Sequence, residues 1–300
     1  MFYWMVKNML TRKSAGAVSK SRESKPDSAA ATVDTGWMEP RRPYAMPLTF
    51  ADLPDEVRAL LDNNVPLQEP PQQGRTSRVA FAVDARGEPM VIKRSAGQHL
   101  DVVRREHRAL QALAPLDVSA PAPLLFLECS SPLEQEGWLV TRRLPGTTLE
   151  AALRTQPDHA RRTSLLTDFG AAVARLHATP PPTGFGTGDW LENALEVAKS
   201  LNPAADAGRL GHLRHHQPAP VATALIHGDL FLDNVMTVGE RVTGFIDWSF
   251  ADVGDPRYDV AVATHELTRA DREAFAEGYG PAARLTAAET AYFVEVALLF

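Results

Sequence analysis

The stretch Ile226-His227-Gly228-Asp229-Leu230-Phe231-Leu232-Asp233-Asn234, with Gly244-Phe245-Ile246-Asp247-Trp248 a little further on, decides how this chain is read. Asp247 stands thirteen positions after Asn234. Short β-forming runs frame both segments: Thr223 to Ile226, Val235 to Val238 and Val242 to Ile246, the last two joined by a turn at Gly239-Glu240. A β-hairpin between Asn234 and Asp247 brings the two to one place. A carboxylate on a rigid loop accepts the proton of a hydroxyl group. An amide oxygen beside a second carboxylate suits a hard divalent cation. Asp229 is therefore assigned as a base, and Asn234 and Asp247 as metal ligands. Asp233 reads as a turn residue, and His227 as a tie that holds the loop through its ring nitrogens.

The chain around this stretch has 300 residues and a formal charge of -6. That length suits one large domain or two lobes sharing a cleft. The acidic balance argues against a nucleic-acid partner, whose footprint is a basic surface, and it permits a cationic substrate. No window approaches the roughly 18 consecutive apolar residues of a membrane span. Cys129 is the only cysteine, so neither an intrachain disulfide nor a multi-cysteine zinc site is available, and a reducing cytoplasm is the expected compartment. Met1 to Leu10 is aromatic and apolar, and Thr11 to Ser28 is rich in Lys, Arg, Ser and Ala, the reverse of a secretory signal. Residues 1–48 are expected to be a disordered extension or a start placed too early, with Met46 the better start.

Upstream of the deciding stretch, Ala51 to Asn63 reads as a short helix with Asp52 or a neighbour as its cap and Val57, Leu60 and Leu61 on one face. Arg78 to Val83 and Pro89 to Arg94 read as strands joined by a turn at Ala85-Arg86-Gly87-Glu88. His99 to Ala114 is helical, and Pro123 to Leu127 and Trp138 to Thr141 are two further strands. Pro145-Gly146 interrupts the pattern. Beyond it the reading is helical at Thr148 to Leu153, Arg162 to His177, Leu191 to Leu201 and Ala207 to His215, with Pro180-Pro181-Pro182 and a glycine-rich loop from Gly184 to Asp189 between. Tyr258 to Leu267, Arg269 to Tyr279 and Ala287 to Leu299 close the chain as helices. The sequence thus divides into a strand-rich first part, residues 49–145, and a helix-rich second part, residues 146–300.

The spacing His-x-Asp, four residues, Asn is that of a kinase catalytic loop. Phosphoryl transfer accounts for the residue types: a base for the acceptor hydroxyl, and oxygen ligands for a cation that neutralises phosphate charge. With His227-Gly228-Asp229…Asn234, Ile246-Asp247-Trp248 and Gly254-Asp255-Pro256-Arg257-Tyr258-Asp259, the chain resembles the aminoglycoside phosphotransferase family from about Phe50 onward. That family sits within the wider protein-kinase-like fold that includes choline kinases. The resemblance implies an α+β fold of two lobes: a small antiparallel-sheet N-lobe that binds nucleotide and a mostly helical C-lobe that carries the catalytic loop. The cleft is expected between a five-stranded sheet and the helices. The implied reaction moves the γ-phosphoryl group of ATP or GTP, with Mg²⁺, to a hydroxyl of an antibiotic or metabolite. Asp255 and Asp259 would be structural carboxylates behind the loop. Asp247-Trp248-Ser249 replaces the Asp-Phe-Gly of protein kinases, and no Ala-Pro-Glu follows, which points away from protein substrates.

The resemblance places Lys93, in Met90-Val91-Ile92-Lys93, on a third strand as the phosphate-binding lysine, with Glu106 of the next helix as its partner. Gln73-Gly74-Arg75-Thr76-Ser77-Arg78 would fold over the phosphates, Thr76 and Ser77 offering donors. Aligning Gly146 sets adenine against the backbone of Arg142 and Leu144, with Thr141 guarding the pocket behind. Acceptor candidates are Asp189, Trp190 and Glu192 after the glycine-rich loop, and Glu266, Asp271, Glu273 and Glu277 near the end, because acidic groups suit a cationic acceptor. The run Val296-Ala297-Leu298-Leu299-Phe300 stops inside a helical pattern, so a truncated or naturally short C-lobe is expected. Asp229-Leu230-Phe231…Asp233-Asn234-Val235 also resembles the loop of homoserine kinase, the nearest alternative. A metallophosphoesterase would need an upstream Asp-x-His and a downstream Asn-His pair, absent at suitable places. A nucleotide-binding pseudokinase is opposed by the presence of Lys93, Asp229, Asn234 and Asp247 together.

Overall fold

The computed structural model describes residues 47–71, 73–74, 76–130, 134–186, 188–201 and 207–299, with the side chains of 201 and 207 left aside. The N-terminal extension up to residue 46, with Phe2, Tyr3, Trp4 and Met5, lies outside the described residues, as do Arg75 and Phe300.

Four strands make the first sheet: β1 (Arg78–Val83), β2 (Pro89–Ala96), β3 (Pro123–Ser130) and β4 (Gln135–Arg142). They run antiparallel in the order β1-β2-β4-β3. Side chains alternate between faces, so Ala80, Ala82, Met90, Ile92, Trp138 and Val140 bury one face against Leu48, Leu53, Val57 and Leu61. Lys93 lies on the other. The expected fifth strand is absent among the described residues. In its place a single antiparallel bridge joins Gln68 to Phe81, so Lys93 stands on the second strand rather than the third. The expected helix over Ala51 to Asn63 is also shorter. Pro54 divides it into a 3-10 turn at Phe50–Asp52 and α1 (Asp55–Arg58), since proline cannot donate inside a helix. The cap of the 3-10 turn is the neighbour, Thr49, and Asp52 completes its capping box: Asp52 Oδ2 accepts from the Thr49 N–H and hydroxyl at 2.7 and 2.8 Å. Leu48, assigned to the extension, is 5% exposed and packs in this core.

α2 (Leu100–Leu113) crosses the cleft face of the sheet. After Pro145-Gly146 the chain enters β5 (Thr147–Thr148), α3 (Leu149–Thr155) and α4 (His159–Ala178), then α5 (Trp190–Leu201) and α6 (Ala207–His215). β6 (Ala224–Ile226) leads into the deciding loop, and the hairpin of β7 (Val235–Val238) and β8 (Arg241–Phe245) follows. β9 (Asp252–Gly254), a strand too short to show a period, pairs with β6. α7 (Pro256–Thr264), α8 (Arg269–Tyr279) and α9 (Ala287–Ala297) complete the helical half. α4 and α8 touch backbone to backbone, through one glycine in each. A Cβ on Gly170 would stand 2.0 Å from the Phe275 carbonyl oxygen, and one on Gly278 1.8 Å from that of Thr167. This helix pair forms the centre of the C-lobe core, with Phe169 and Phe275 in edge contact at 5.1 Å.

Candidate active site

Lys93 reaches from β2 to α2 and donates to both carboxylate oxygens of Glu106, at 2.6 and 2.8 Å. Glu106 is 3% exposed. Burial pushes its carboxyl up, against the opposing pull of the Lys93 ammonium. Across the cleft, Lys93 Nζ stands 3.6 Å from Asp247 Oδ1. Burial disfavours the Lys93 charge, but Asp247 and Glu106 outweigh it, so the ammonium is held more tightly than usual. The two halves of the motif set therefore meet at one lysine.

Asp247 has φ +67°, the one non-glycine residue in the left-handed region among those described. Such a conformation costs about 1–3 kcal/mol and persists where the surroundings impose it. Its side chain is 42% exposed. Desolvation is the largest single influence and pushes the carboxyl up. Lys93 and the Ser249 hydroxyl, which donates to Oδ1 at 3.1 Å, with His227 behind, together outweigh it, and the carboxyl lies below its ordinary range.

Asp229 follows Gly228, whose φ of +82° and contact with the Phe250 carbonyl leave no room for a Cβ. Asn234 Nδ2 donates to the Asp229 carbonyl at 2.7 Å and to its Oδ2 at 3.0 Å. Burial raises Asp229 well above the usual carboxylate range, and the charges of Asp247 and Asp233 add to it. Asp233 itself is pushed up to about 6, by burial and then by Glu150. The register of β7 and β8 does what the hairpin reading required: Ile246 N–H donates to the Asn234 carbonyl at 2.9 Å.

Behind the loop, His227 is fully buried. Its Nε2–H donates to the Ile246 carbonyl at 3.0 Å and its Nδ1 accepts from the Asp229 N–H at 3.2 Å, which fixes one neutral tautomer. Burial favours that neutral form. Asp259, on α7, accepts from the N–H groups of His227 and Gly228 at 2.7 and 3.0 Å. Among the described residues, Asp255 accepts side-chain hydrogen bonds from Arg257 alone. It caps α7 through the Arg257 N–H at 2.9 Å and grips the Arg257 guanidinium, so its support is indirect.

The phosphate-loop candidates separate. The Ser77 hydroxyl is buried and meets Ser95 Oγ at 2.8 Å, while Ser95 donates to the Thr76 carbonyl at 3.0 Å. With its one proton used there, Ser95 accepts from Ser77, so Ser77 ties the loop to β2 and its hydroxyl is not turned to a phosphate. Thr76 remains half-buried. At the hinge, the Arg142 N–H is taken by the Ala122 carbonyl at 2.9 Å, and its guanidinium pairs with Asp84 at 2.8 Å. The Leu144 N–H has no partner among the described residues, which makes it the available backbone donor of the pair.

The acceptor candidates are mostly engaged. Asp189 caps α5 through the Leu191 N–H at 2.8 Å, Trp190 is 9% exposed and packs with Tyr258 and Phe293, and Glu192 pairs with Arg214 at 2.7 Å. Asp271 is corrected to a structural residue: both its oxygens bind the Arg162 guanidinium at 2.8 Å. Glu273 pairs with Arg284 at 3.3 Å, and Glu266 and Glu277 are exposed. Ser249, Ser95, His177 and Tyr279 were missed by the sequence reading, since single hydroxyls and a histidine at a helix end carry no pattern of their own.

A metal is tested by what oxygens remain. Asn234 commits its nitrogen to Asp229, leaving Oδ1, and Asp247 Oδ2 has no partner among the described residues. Those residues hold no group of three or more His, Cys, Asp or Glu in a metal cage. Two hard oxygens fit Mg²⁺, which keeps its other positions for water and phosphate.

A lysine paired with a helix-borne glutamate over a helical half that carries the loop defines a two-lobed, kinase-like scaffold. The chain belongs to the phosphotransferase enzyme family, whose family model matches residues 67–293. Among curated relatives it is 32% identical over 191 residues to a homoserine kinase of Beijerinckia indica, covering 55% of this chain and 58% of that protein. It is 30% identical over 174 residues to the viomycin phosphotransferase of Streptomyces vinaceus, covering 51% and 58%. The chain thus spans little more than half the length of these relatives. A solved structure of a thermostable mutant of aminoglycoside phosphotransferase APH(4)-Ia, in ternary complex with AMP-PNP and hygromycin B, is 21% identical with a TM-score of 0.55, covering 77% of this chain and 84% of that one, and agrees in fold.

Proposed function

We propose that this chain transfers the γ-phosphoryl group of ATP (or GTP) to a hydroxyl of a small antibiotic or metabolite. The observation that carries the reading is the meeting of Lys93 with Glu106 at 2.6 Å and with Asp247 at 3.6 Å. Lys93, fixed by Glu106, binds the α- and β-phosphates. The Leu144 N–H and the backbone at Arg142 receive the base, and Thr76 contributes at the phosphate loop. Asp229 takes the proton from the acceptor hydroxyl; its carboxyl, raised by burial, is a stronger proton acceptor than a solvated one. Asn234, through Oδ1, and Asp247 would hold Mg²⁺, which neutralises charge on the phosphates.

Relatives named for homoserine and for viomycin leave the acceptor at the level of a small hydroxylated molecule. Glu150 and Glu266 lie near enough to raise Asp233 beside the base, which favours an acceptor with a positive charge. Among the described residues no helix is long and apolar enough to cross a membrane. The test is an ADP-release screen of the purified protein with aminoglycosides, macrolides, viomycin, choline, homoserine and simple sugars. Mg²⁺-dependent ADP release with one of these supports the reading. No release, together with no binding of Mg-ATP, rejects it.

A further inference from the structure

We propose that Tyr279 is a positioning residue that sets the catalytic loop through His177 and Asp259. Its effect on turnover rests on the phosphoryl-transfer reading above; the coupling itself does not. His177 sits at the end of α4 and Tyr279 at the end of α8. His177 Nε2 stands 3.1 Å from Asp259 Oδ2, and its Nδ1 2.7 Å from the Tyr279 hydroxyl. The His177 and Asp259 side chains are 6% and 0% exposed.

The direction of the first bond follows from the chemistry. Asp259, its carboxyl held below the usual range against the cost of burial, is an acceptor only. His177 therefore donates from Nε2. Its Nδ1 then meets the Tyr279 hydroxyl, a group that can donate or accept. Burial pushes the Tyr279 phenol up to about 12, which keeps its proton in place. Asp259 Oδ2 is shared between His177 and the His227 N–H, while Oδ1 takes the Gly228 N–H. The line runs from a C-terminal helix to the two residues before Asp229.

A second, independent feature fixes the same line. Gly170 and Gly278 bring α4 and α8 into backbone contact. Tyr279 lies against Phe275 at 5.8 Å, and Phe275 against Phe169 at 5.1 Å. The helix pair thus holds the hydroxyl at one height. Phenylalanine would fill the same apolar slot, so the hydroxyl is needed for the line to Asp259 and not for the core.

The test is hydrogen exchange of the His227 and Gly228 amides, read by NMR in the full chain, for the parent, Tyr279→Phe, His177→Leu and the double variant. The amides of α2 serve as internal reference. Tyr279→Phe is expected to speed exchange at both loop amides about fivefold or more, the scale of one lost hydrogen bond, with α2 unchanged. His177→Leu removes both the donor to Asp259 and the partner of the Tyr279 hydroxyl. It should speed exchange at least as much as Tyr279→Phe, and the double variant should add nothing to His177→Leu. If His177→Leu fails to fold, Tyr279→Phe alone carries the comparison. Unchanged exchange at both loop amides, or equal acceleration across α2, overturns the proposal. Faster loop exchange with unchanged turnover on a verified acceptor would uphold the coupling and count against Asp229 as the base.

Discussion

On the nucleotide side of the cleft, Lys93, Glu106 and Asp247 converge within 3.6 Å, and Asn234 holds Asp229 at 3.0 Å. On the acceptor side, Asp189 caps a helix, Trp190 fills a core, and Glu192 and Asp271 are paired with Arg214 and Arg162. One side presents charges to each other across a gap; the other has neutralised most of its own. Phosphate chemistry demands a fixed set of residue types at fixed spacing, so it is written in short motifs. Acceptor recognition is a surface property, assembled from whatever charge the helices leave unpaired.

The largest effect should come from breaking the scaffold that both sides share. Gly278→Ala places a Cβ 1.8 Å from the Thr167 carbonyl oxygen. Overpacking against backbone should cost about 3 kcal/mol or more, a drop of roughly 10 °C in a thermal melt. A melt within a degree of the parent would mean that α4 and α8 slide apart freely.

Next in size is the catalytic contrast. Asp229→Asn should cut turnover at least about 10²-fold while Mg-ATP affinity holds, because the proposed base would face the acceptor and not the phosphates. Steady-state kinetics with a verified acceptor measure this, and near-normal turnover would remove Asp229 from its role.

Asp271 belongs to both sides of this contrast: it is one of the acceptor candidates in the sequence, and in the structure both its oxygens bind the Arg162 guanidinium. Its carboxyl is held below the usual range chiefly by the Arg162 hydrogen bonds. The stability it supplies is therefore present above the ordinary carboxylate range and lost as pH falls through its lowered value. Asp271→Asn should cost about 1–2 kcal/mol at neutral pH and flatten the acid side of the melting profile, with the acceptor KM unchanged. A raised KM with an unchanged melt would return Asp271 to the acceptor site. Smallest of all, Glu192→Gln should shift stability by less than about 0.5 kcal/mol, since its pair with Arg214 is exposed.

What was legible in the sequence follows the same division. The hairpin from Val235 to Phe245 and the helix Arg269–Tyr279 could be read because their period and turns are local. The Lys93–Glu106 pair followed from the family resemblance. The break at Pro54 was in plain view but was outweighed by the apolar spacing of Val57, Leu60 and Leu61. The three residues of β9 are too few to show alternation, and the missing fifth strand left only the Gln68–Phe81 bridge. The side-chain engagements of Ser77 and Asp271 were hidden for another reason: their partners, Ser95 and Arg162, lie 18 and 109 residues away. No local pattern reports a partner at that distance.

Asp247 is proposed to join the chemistry of the two lobes through a cation on the phosphates. Calorimetric titration of ATP into the parent protein and Asp247→Ala, each with Mg²⁺ and with EDTA, tests it most directly. The parent is expected to bind ATP more tightly with Mg²⁺, and Asp247→Ala to lose this Mg²⁺-dependent binding. Equal ATP affinity in Mg²⁺ and in EDTA for the parent, or a Mg²⁺ dependence that survives the loss of Asp247, would contradict it.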